Sequence, residues 1–539
     1  MPSLKRLSQG LAAAAILTAL TAPAAHASTT QQFVIQDDAA LRANTLGALT
    51  TMRGLGVTIV KVTVRWSSIA PNAASHSMPR HFTASNPASY PAANWAFYDA
   101  VVRDAKIVGI KVGFTVTSPA PLWATGSGFP KGSLPGNAYV WKPSAPDFGA
   151  FVQAVGKRYS GTYRPNRKTA PLPRVSWWSI WNEPNYGPDL APQAIDNDTI
   201  YTGAGMYRQL LDHAWGALAA TGHTPKKDTI LIGETAPRGV VGKGFPGNFS
   251  GTVPVTFLQT LYCENSANRE LTGAAAAANG CPGNAGAVRA QNPALFDASG
   301  YAAHLYAQGV PPTIPTYQCG INKFCWNAAT KQSNPGYLDF AEVSRLTKLL
   351  ERLAGHSFPI WNTEFGYWTN PPDSANNAVE RREAVSPATA ALYMNWAEYL
   401  SYENPQIASD DQYLLVDPVS SAFSTGLELN NGVKLATYAA YRTPLFMPVT
   451  TATHATSLTV WGAVRPADVL VSRHVKPRAM IQFQAASRRP WTTLQTVAIK
   501  NSRGYFDVRV PFKQSGSVRI AWTNGVTQFT SRTQQIKLG

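Results

Sequence analysis

The chain has 539 residues, enough for two or three domains. Hydrophobic residues make up 45% of it and charged residues only 14%, so the composition excludes a mainly disordered protein and favours one with a large core. The net charge of +17 suits an anionic partner only if it is concentrated in one part of the chain.

The first 27 residues have the pattern of a secretory signal peptide. Lys5 and Arg6 precede an apolar stretch over residues 11–20, and the small residues at 25–27 form a site that signal peptidase recognises. The apolar stretch is shorter than the 18 or more residues that span a bilayer, and no later segment is apolar enough to do so. The sequence therefore predicts a mature protein that begins at residue 28 and is secreted.

Four cysteines suit disulfide bonding outside the cytoplasm. Pairing nearest neighbours predicts two short loops, closed by Cys263–Cys281 and Cys319–Cys325. A zinc site is the alternative, but the sequence has no C-x-x-C motif and no histidine at ligand spacing from these cysteines.

After the signal, β-rich runs alternate with helical stretches. Helical apolar spacing is found over residues 93–108, 148–159, 201–220, 337–353 and 387–402. The eight candidate strands span residues 33–36, 58–65, 110–117, 175–181, 229–233, 300–306, 358–363 and 412–416. Eight such units favour an α/β fold, a closed parallel (β/α)8 TIM barrel over residues 28–444. An open, doubly wound sheet is the alternative, but no G-x-G-x-x-G motif opens the first unit.

The pattern changes after residue 444. Short runs that alternate apolar and polar residues follow one another at 457–461, 479–483, 493–499, 505–510 and 517–522. They predict a small antiparallel β-sandwich domain over residues 445–539.

The predicted sandwich carries most of the basic excess. It has 13 basic residues and two acidic ones, hence a net charge of +11. Two interpretations stay open: contact with an anionic cell wall or acidic polysaccharide, or a solvated surface on a packing domain. Nucleic acid is disfavoured, because the chain is predicted to be exported and has no nucleic-acid-binding motif.

Two predicted strands end in glutamate. The fourth ends Trp-Asn-Glu-Pro around Glu183, and the seventh ends Trp-Asn-Thr-Glu-Phe-Gly around Glu364. Because the carboxyl ends of barrel strands form the mouth of the barrel, both acids are expected to face one pocket. Cleavage of a glycosidic bond needs such a pair, with a carboxyl separation of about 5–5.5 Å for retention and about 6.5–9.5 Å for inversion.

These two motifs resemble the strand-four and strand-seven signatures of clan A glycoside hydrolases, which include cellulase-like, β-xylosidase-like and arabinofuranosidase-like enzymes. The resemblance covers roughly residues 33–444. It implies a retaining double displacement with Glu183 as acid/base and Glu364 as nucleophile, and no metal or organic cofactor.

Other residues match the same clan pattern. Arg65, which closes strand two, resembles the clan's arginine near the nucleophile and would keep Glu364 ionised; a structural ion pair is the alternative. Asn182 would bind the sugar 2-hydroxyl. His304 and Tyr306 resemble the clan's His-x-Tyr, in which the tyrosine bonds the nucleophile and the histidine lines the sugar site. A histidine satisfied within the core is the alternative for His304.

Aromatic residues near strand ends are candidates for stacking on sugar rings. Trp123 and Trp368 are the two we select, since most buried tryptophans only pack. Strand eight lacks the tryptophan that many clan members have at its end, so Tyr413 or a loop tryptophan is expected to replace it. Glu234, which ends strand five, is a third acid that either contacts substrate or belongs to an ion pair.

The sequence thus predicts a secreted retaining glycoside hydrolase that acts on a poly- or oligosaccharide, and association with the cell wall is one of the two interpretations of its basic domain. The alternatives are a transglycosylase and a non-catalytic carbohydrate-binding or adhesion protein on the same barrel. The motifs do not select the sugar, because the loops that shape the pocket vary freely.

Overall fold

The computed structural model describes residues 28–197, 199–239, 247–316, 334–370, 383–419 and 423–539. The predicted signal peptide and the predicted disulfide Cys319–Cys325 lie outside the described residues. The disulfide Cys263–Cys281 is formed, with its Cα atoms 5.7 Å apart.

Eight parallel strands close into a barrel in which each strand neighbours the next one in this series, and the eighth returns to the first. The strands are β1 (Gln32–Gln36), β2 (Ile59–Arg65), β3 (Lys111–Thr117), β4 (Trp177–Ile180), β5 (Thr229–Thr235), β6 (Gly300–His304), β7 (Ile360–Glu364) and β8 (Ile407–Tyr413). This confirms the predicted barrel.

Helices surround the barrel. We label nine of them α1 (Asp38–Ala43), α2 (Thr45–Gly54), α3 (Ala92–Val108), α4 (Ala145–Arg158), α5 (Gly203–Ala220), α6 (Pro254–Leu261), α7 (Val343–Ala354), α8 (Pro387–Glu403) and α9 (Ala436–Arg442). Further short helices in the loops cover Trp66–Ile69, Gly273–Ala278, Ala285–Gln291 and Ala294–Asp297. No helix in the described part of the chain is long and apolar enough to cross a membrane.

The interior of the barrel is apolar at one end and charged towards the other. Its amino-terminal end is filled by a buried cluster of Val34, Ile59, Trp177, Leu231, Ala302 and Trp361. Side chains two residues apart on a strand share a face, so the next inward position after Ile59 on β2 is Lys61. The side chain of Lys61 is completely buried. The charged part of the interior lies under the strand ends that hold the candidate site.

The second domain is a sandwich of two sheets. Its strands are β9 (Leu445–Phe446), β10 (Thr451–Ala452), β11 (Thr456–Ala463), β12 (Arg478–Gln484), β13 (Thr492–Ala498), β14 (Tyr505–Phe512), β15 (Gly516–Thr523), β16 (Gln528–Thr530) and β17 (Gln534–Leu538), with one helix, α10 (Ala467–Ser472). One sheet has the order β9-β11-β14, and the other has the order β10-β17-β15-β12-β13 with β16 on β15. The predicted fold class, a barrel followed by a β-sandwich, is confirmed.

The sandwich packs on the barrel through a buried aromatic cluster. It consists of Phe33, Tyr402, Phe446, Trp461, Ala463 and Tyr505. Beside it, Arg465 is 1% exposed; its guanidinium donates to Glu398 of α8 and to the carbonyl of Tyr441 at 2.7 Å, and lies 3.8 Å from the ring centre of Phe33.

Candidate active site

Glu183 lies in a strained turn directly after β4. Trp181 and Glu183 have φ angles of 70° and 39°, in the left-handed region that non-glycine residues rarely adopt. The turn is held because the Glu183 amide donates to the carbonyl of Glu234 at 2.9 Å, and the Trp181 indole donates to the carbonyl of Asp189 at 3.1 Å. Such backbone strain persists where the surrounding structure fixes it, which is common at functional sites.

Glu364 is the last residue of β7, and its two carboxylate oxygens are held by different groups. The Tyr306 hydroxyl donates to Oε2 at 3.1 Å, and the ammonium group of Lys61 donates to Oε1 at 3.3 Å. The side chain is 10% exposed, so these bonds are shielded from bulk water.

The two glutamates meet across His304. The imidazole Nδ1 lies 2.8 Å from Glu183 Oε1 and 3.4 Å from Glu364 Oε2. A carboxylate oxygen of Glu183 and one of Glu364 lie within 4.8 Å of each other. The structure therefore places the two predicted acids and the predicted histidine together at one end of the barrel.

A buried ion network lies beneath this pair. Glu234 Oε2 accepts from Lys61 Nζ at 2.9 Å, from Thr363 Oγ1 at 3.0 Å and lies 2.7 Å from His304 Nε2. Of the two interpretations of Glu234, the ion pair is the one found.

The charges in this network stabilise one another. Burial alone would lower the pKa of Lys61, but the charges of Glu234 and Glu364 raise it above its usual range. Burial would raise the pKa of Glu234, but Lys61 and His304 lower it to about 2. Burial opposes the charge on His304, yet Glu364 and the bonds to Glu183 and Glu234 raise its pKa to about 10.

Arg65 is exposed at the end of β2, and it forms no ion pair within the described residues. Its charge lowers the pKa of the buried Asp38, which burial raises. A cation that contacts Glu364 is Lys61, four residues earlier on the same face of the strand. The sequence analysis did not select Lys61, and the role expected for Arg65 beside Glu364 stays a prediction.

Asn182 lies beside a further acid, which the sequence analysis did not select. Its side-chain amide donates to Asp189 Oδ1 at 3.4 Å, and Ser118 Oγ donates to the same atom at 3.1 Å. Burial, together with the charge of Glu183, raises the pKa of Asp189 to about 8. Asp189 comes from the loop after β4, where no motif marks it.

The two selected tryptophans pack against different sets of aromatic residues. Trp368 is 5% exposed and stacks on Tyr306 with ring centres 5.7 Å apart, so it borders the residue that bonds Glu364. Trp123 is half-buried; it packs against Trp66 at 6.0 Å and Phe82 at 5.8 Å, and its indole donates to a backbone carbonyl.

Aromatic residues other than tryptophan lie at the end of strand β8. Tyr413 ends β8 and contacts Phe423 at 5.4 Å, while Phe423 contacts Tyr306 at 5.9 Å and Trp368 at 5.5 Å. The side of the site next to Glu364 is thus an aromatic wall.

The spacing of Glu183, His304 and Glu364 would also suit a cation, and they are the one such group among the described residues. However, both ring nitrogens of His304 face carboxylate oxygens, at 2.8 and 2.7 Å. An imidazole that donates from both nitrogens has no lone pair for a metal. The same spacing places the groups within reach of one another for proton transfer.

No protein-family model matches this chain, and no curated protein matches its sequence. Among solved structures, a family 39 glycoside hydrolase from Bacteroides cellulosilyticus WH2 is 14% identical, with a TM-score of 0.45 and coverage of 90% of this chain and 80% of that one. A glucosidase from Croceicoccus marinus is 11% identical, with a TM-score of 0.41 and coverage of 86% and 89%. A family 1 β-glucosidase from Thermotoga maritima is 12% identical, with a TM-score of 0.43 and coverage of 74% and 86%. The likeness is distant, and the fold assignment rests on the closed barrel itself.

Proposed function

We propose that the protein is a retaining glycoside hydrolase that cleaves O-glycosidic bonds of a poly- or oligosaccharide. The observation that carries the proposal is the pair of strand-end glutamates, Glu183 and Glu364, whose carboxylate oxygens approach within 4.8 Å. Retaining enzymes need carboxyl groups about 5–5.5 Å apart, whereas inverting enzymes need room for a water molecule between them. The distance supports direct attack by one carboxylate.

The first chemical step divides the work between the two acids. Glu364, ionised and oriented by Lys61 and Tyr306, attacks the anomeric carbon while Glu183 gives its proton to the leaving oxygen. The products are a glycosyl ester on Glu364 and a free leaving group. In the second step Glu183 takes a proton from water, the water oxygen attacks the anomeric carbon, and Glu364 leaves. Two inversions give net retention.

The other selected residues support this reaction from around the sugar. Asn182 lies next to Glu183, where we assign it to the sugar 2-hydroxyl, and Trp368 adds to the aromatic wall beside the nucleophile. Trp123 and the exposed Arg65 are assigned to more distant parts of the substrate. Flat rings bind the apolar faces of sugars through area and dispersion rather than through charge.

The experiment that tests this proposal compares Glu183→Gln with Glu364→Gln on aryl glycosides. Loss of the nucleophile should lower turnover of every glycoside by at least about 100-fold. Loss of the acid should affect glycosides with poor leaving groups by about 100-fold or more, but those with activated leaving groups much less, because these leave without protonation.

A matched control is Glu264→Gln, which removes a glutamate that pairs with Arg352 away from the site. It should retain wild-type turnover. If neither active-site change lowers hydrolysis, the enzyme proposal fails. If the wild type binds glycans but hydrolyses none of them, the protein is a carbohydrate-binding protein and not an enzyme. If added sugar acceptors divert most of the product, the enzyme is a transglycosylase.

We propose that the chain is exported after cleavage behind residue 27. The disulfide Cys263–Cys281 supports this, since such bonds persist in oxidising compartments. Amino-terminal sequencing of the protein from culture medium should give Ser28. Retention of the whole chain inside the cell would contradict the proposal.

We also propose that the sandwich contacts an anionic polysaccharide. Lys476, Arg478 and Lys500 are exposed and lie at one end of the β12–β13 hairpin, where the Ile499 amide donates to the carbonyl of Pro477 at 3.0 Å. None of the three forms an ion pair with another described residue, so their charge is available to a partner.

Cosedimentation with an acidic and a neutral polysaccharide tests this contact. Binding to the acidic polymer should weaken as salt rises, and should fall in the triple charge reversal Lys476→Glu/Arg478→Glu/Lys500→Glu. Lys111→Glu, an exposed change on the barrel, is the control. Equal binding of the wild type to both polymers would contradict the proposal.

A further inference from the structure

Glu234 lies in a β-bulge of strand β5, where the regular pairing with β6 is interrupted. Gly233 pairs with Ala302 and Thr235 with Ala303, so Glu234 is an extra residue between them. Glu234 has a φ of 52° and Gly233 a φ of 106°. A Cβ on Gly233 would lie 2.5 Å from the carbonyl oxygen of Ala302, so only glycine fits there. Bulges of this kind re-aim side chains next to active sites.

The bulge brings the Glu234 carboxylate into contact with Lys61 and His304. Its side chain is completely buried, and its Oε2 lies 2.9 Å from Lys61 Nζ and 2.7 Å from His304 Nε2. Thr363 Oγ1 donates to the same oxygen at 3.0 Å. Donors of this kind stabilise the ionised form of a buried carboxylate. The carboxylate in turn fixes the positions of the side chains that bond to it.

His304 is placed so that both of its nitrogens must donate. Nε2 faces Glu234 at 2.7 Å, and Nδ1 faces Glu183 at 2.8 Å and Glu364 at 3.4 Å. An ionised carboxylate only accepts hydrogen bonds, and a protonated carboxyl still accepts at its carbonyl oxygen, so the doubly protonated imidazole can donate to Glu234 and to Glu183 in either form of Glu183. His304 is also the register partner of Glu364 across β6 and β7, which fixes its height in the barrel.

We propose that Glu234 is a positioning residue, whose carboxylate keeps both nitrogens of His304 protonated and so holds a cation between Glu183 and Glu364. This inference rests on the proposed function for its catalytic consequence. Lys61 and His304 then carry two positive charges, and Glu234 and Glu364 two negative ones. The network is neutral when Glu183 holds its proton, which is the form that an acid catalyst needs.

The other ionisable groups that face the network do not disturb this balance. Asp411, on β8, is buried, and burial raises its pKa well above the usual range, which disfavours its charged form. Burial likewise raises the pKa of Tyr306 and keeps its hydroxyl protonated. The raised pKa of Asp189, about 8, keeps it neutral at pH 7 beside Glu183.

The experiment follows the titration of His304 in Glu234→Gln. The chain has nine histidines, so the protein is labelled with ¹³C at histidine Cε1, and the His304 signal is assigned as the one missing in His304→Gln. In the wild type this signal should stay in its protonated position from pH 5 to 8. In Glu234→Gln its midpoint should fall by about 1 to 3 pH units, the usual effect of an opposite charge at contact distance.

Two further variants control for misfolding of Glu234→Gln and for effects common to any buried carboxylate. Thr363→Val removes only the hydrogen bond to Glu234 and should shift the midpoint in the same direction by less. Asp228→Asn is the matched control, since Asp228 is also a buried carboxylate between a histidine and an arginine, 2.8 Å from His223 Nδ1 and 2.5 Å from Arg174, but it precedes β5 at the other end of the barrel. It should move the His223 signal and leave that of His304 in place.

The pH profile of kcat/KM supplies the catalytic readout. Without Glu234 the network has one uncompensated positive charge, so His304 loses its proton more easily, and the alkaline limb should move to lower pH. A wild-type His304 signal that titrates below pH 7, or a midpoint unchanged in Glu234→Gln, would overturn the inference even in an active enzyme. An inactive protein with the expected titration would instead contradict the proposed function alone.

Discussion

Lys61 lies in the barrel interior, where no water solvates its charge. An isolated ammonium ion there would cost several kcal/mol, but Glu234 and Glu364 lie 2.9 and 3.3 Å away. The raised pKa of Lys61 shows that these partners outweigh burial. The same lysine therefore has two effects, one on the stability of the barrel and one on the position of the proposed nucleophile, to which it donates a hydrogen bond.

Lys61→Met should destabilise the protein by about 3 to 5 kcal/mol, because it removes one of the two cations that contact the buried Glu234. It should also lower kcat/KM, because Glu364 loses a hydrogen bond that orients its carboxylate. Urea unfolding and kinetics of the same preparation measure the two effects. Lys111→Met, at an exposed lysine of the neighbouring strand, should change stability by less than about 0.5 kcal/mol. Equal effects of the two substitutions would contradict the assignment of Lys61.

His304 and Glu234 should make the free energy of unfolding depend on pH. The pKa of His304 rises from 6.5 to about 10, so its stabilisation is complete below pH 6.5 and is lost as the pH rises through 10. The pKa of Glu234 falls from 4.5 to about 2, so its stabilisation is present above pH 4.5 and is lost as the pH falls through 2.

The difference in free energy of unfolding between the wild type and His304→Gln should therefore be largest between pH 4.5 and 6.5. Denaturant unfolding at a series of pH values measures it. If the difference in free energy of unfolding instead grew from pH 6.5 towards pH 10, it would contradict a raised pKa of His304.

Among single residues, the sequence identifies those functional side chains that belong to a recognisable motif. Glu183, Glu364, His304 and Tyr306 follow strand ends in a recognisable order, and they lie together in the structure. Lys61 does not, because only the closed barrel brings the middle of β2 beside the ends of β5 and β7. A contact between residues 173 and 303 positions apart has no local signal.

Helix α8 and strand β8 show which elements local pattern can predict. Pro387–Glu403 agrees closely with the predicted 387–402, because Ser386 caps the helix, a proline occupies its first turn, and apolar residues follow at helical spacing. Strand β8 runs over Ile407–Tyr413, whereas the prediction was 412–416. Its Ser-Asp-Asp-Gln segment is polar, so the sequence pattern favours the apolar run that follows it. Asp411 of this segment lies near the charges of Lys61 and Glu364.

Helix α7 shows a similar limit at its start. It begins at Val343 and not near residue 337, since Phe340–Glu342 form a 3₁₀ turn capped by Asp339. Element boundaries depend on such capping contacts, which periodicity does not reveal.

The disulfide Cys263–Cys281 closes the segment that follows α6. It links residues 18 positions apart, and a loop of that length loses entropy in the unfolded chain. The double variant Cys263→Ser/Cys281→Ser should lose about 2 to 4 kcal/mol of unfolding free energy. Chemical denaturation measures the loss. The control is reduction of Cys319→Ser/Cys325→Ser, in which Cys263–Cys281 is the disulfide that remains, and it should give a similar value. A loss below about 0.5 kcal/mol would mean that the bond does not constrain the unfolded chain.

At the scale of the whole molecule, two ion pairs join the barrel to the sandwich in different environments. Arg465 and Glu398 have side chains 1% exposed, whereas Arg53 and Asp468 have side chains 20% and 35% exposed. The sequence predicts the order and class of the two domains from their periodicity. It does not predict their docking, because nothing local distinguishes Arg465 from the exposed arginines of the same domain.

Arg465→Met should therefore destabilise the protein by about 3 to 5 kcal/mol, since it leaves Glu398 buried without a partner. Arg53→Met, the matched change at the same interface, should cost less than about 1 kcal/mol. Thermal and urea unfolding of both variants measure these values. Equal losses would mean that the buried pair does not hold the domains together.

The anomeric configuration of the first-formed product tests the central claim most directly. The wild type is given aryl glycosides of glucose, xylose, arabinofuranose and galactose, and proton NMR follows the sugar released in the first minutes, before it mutarotates. With Glu183 and Glu364 within 4.8 Å, the product should keep the configuration of the substrate. A product of inverted configuration would contradict the double displacement on these two residues.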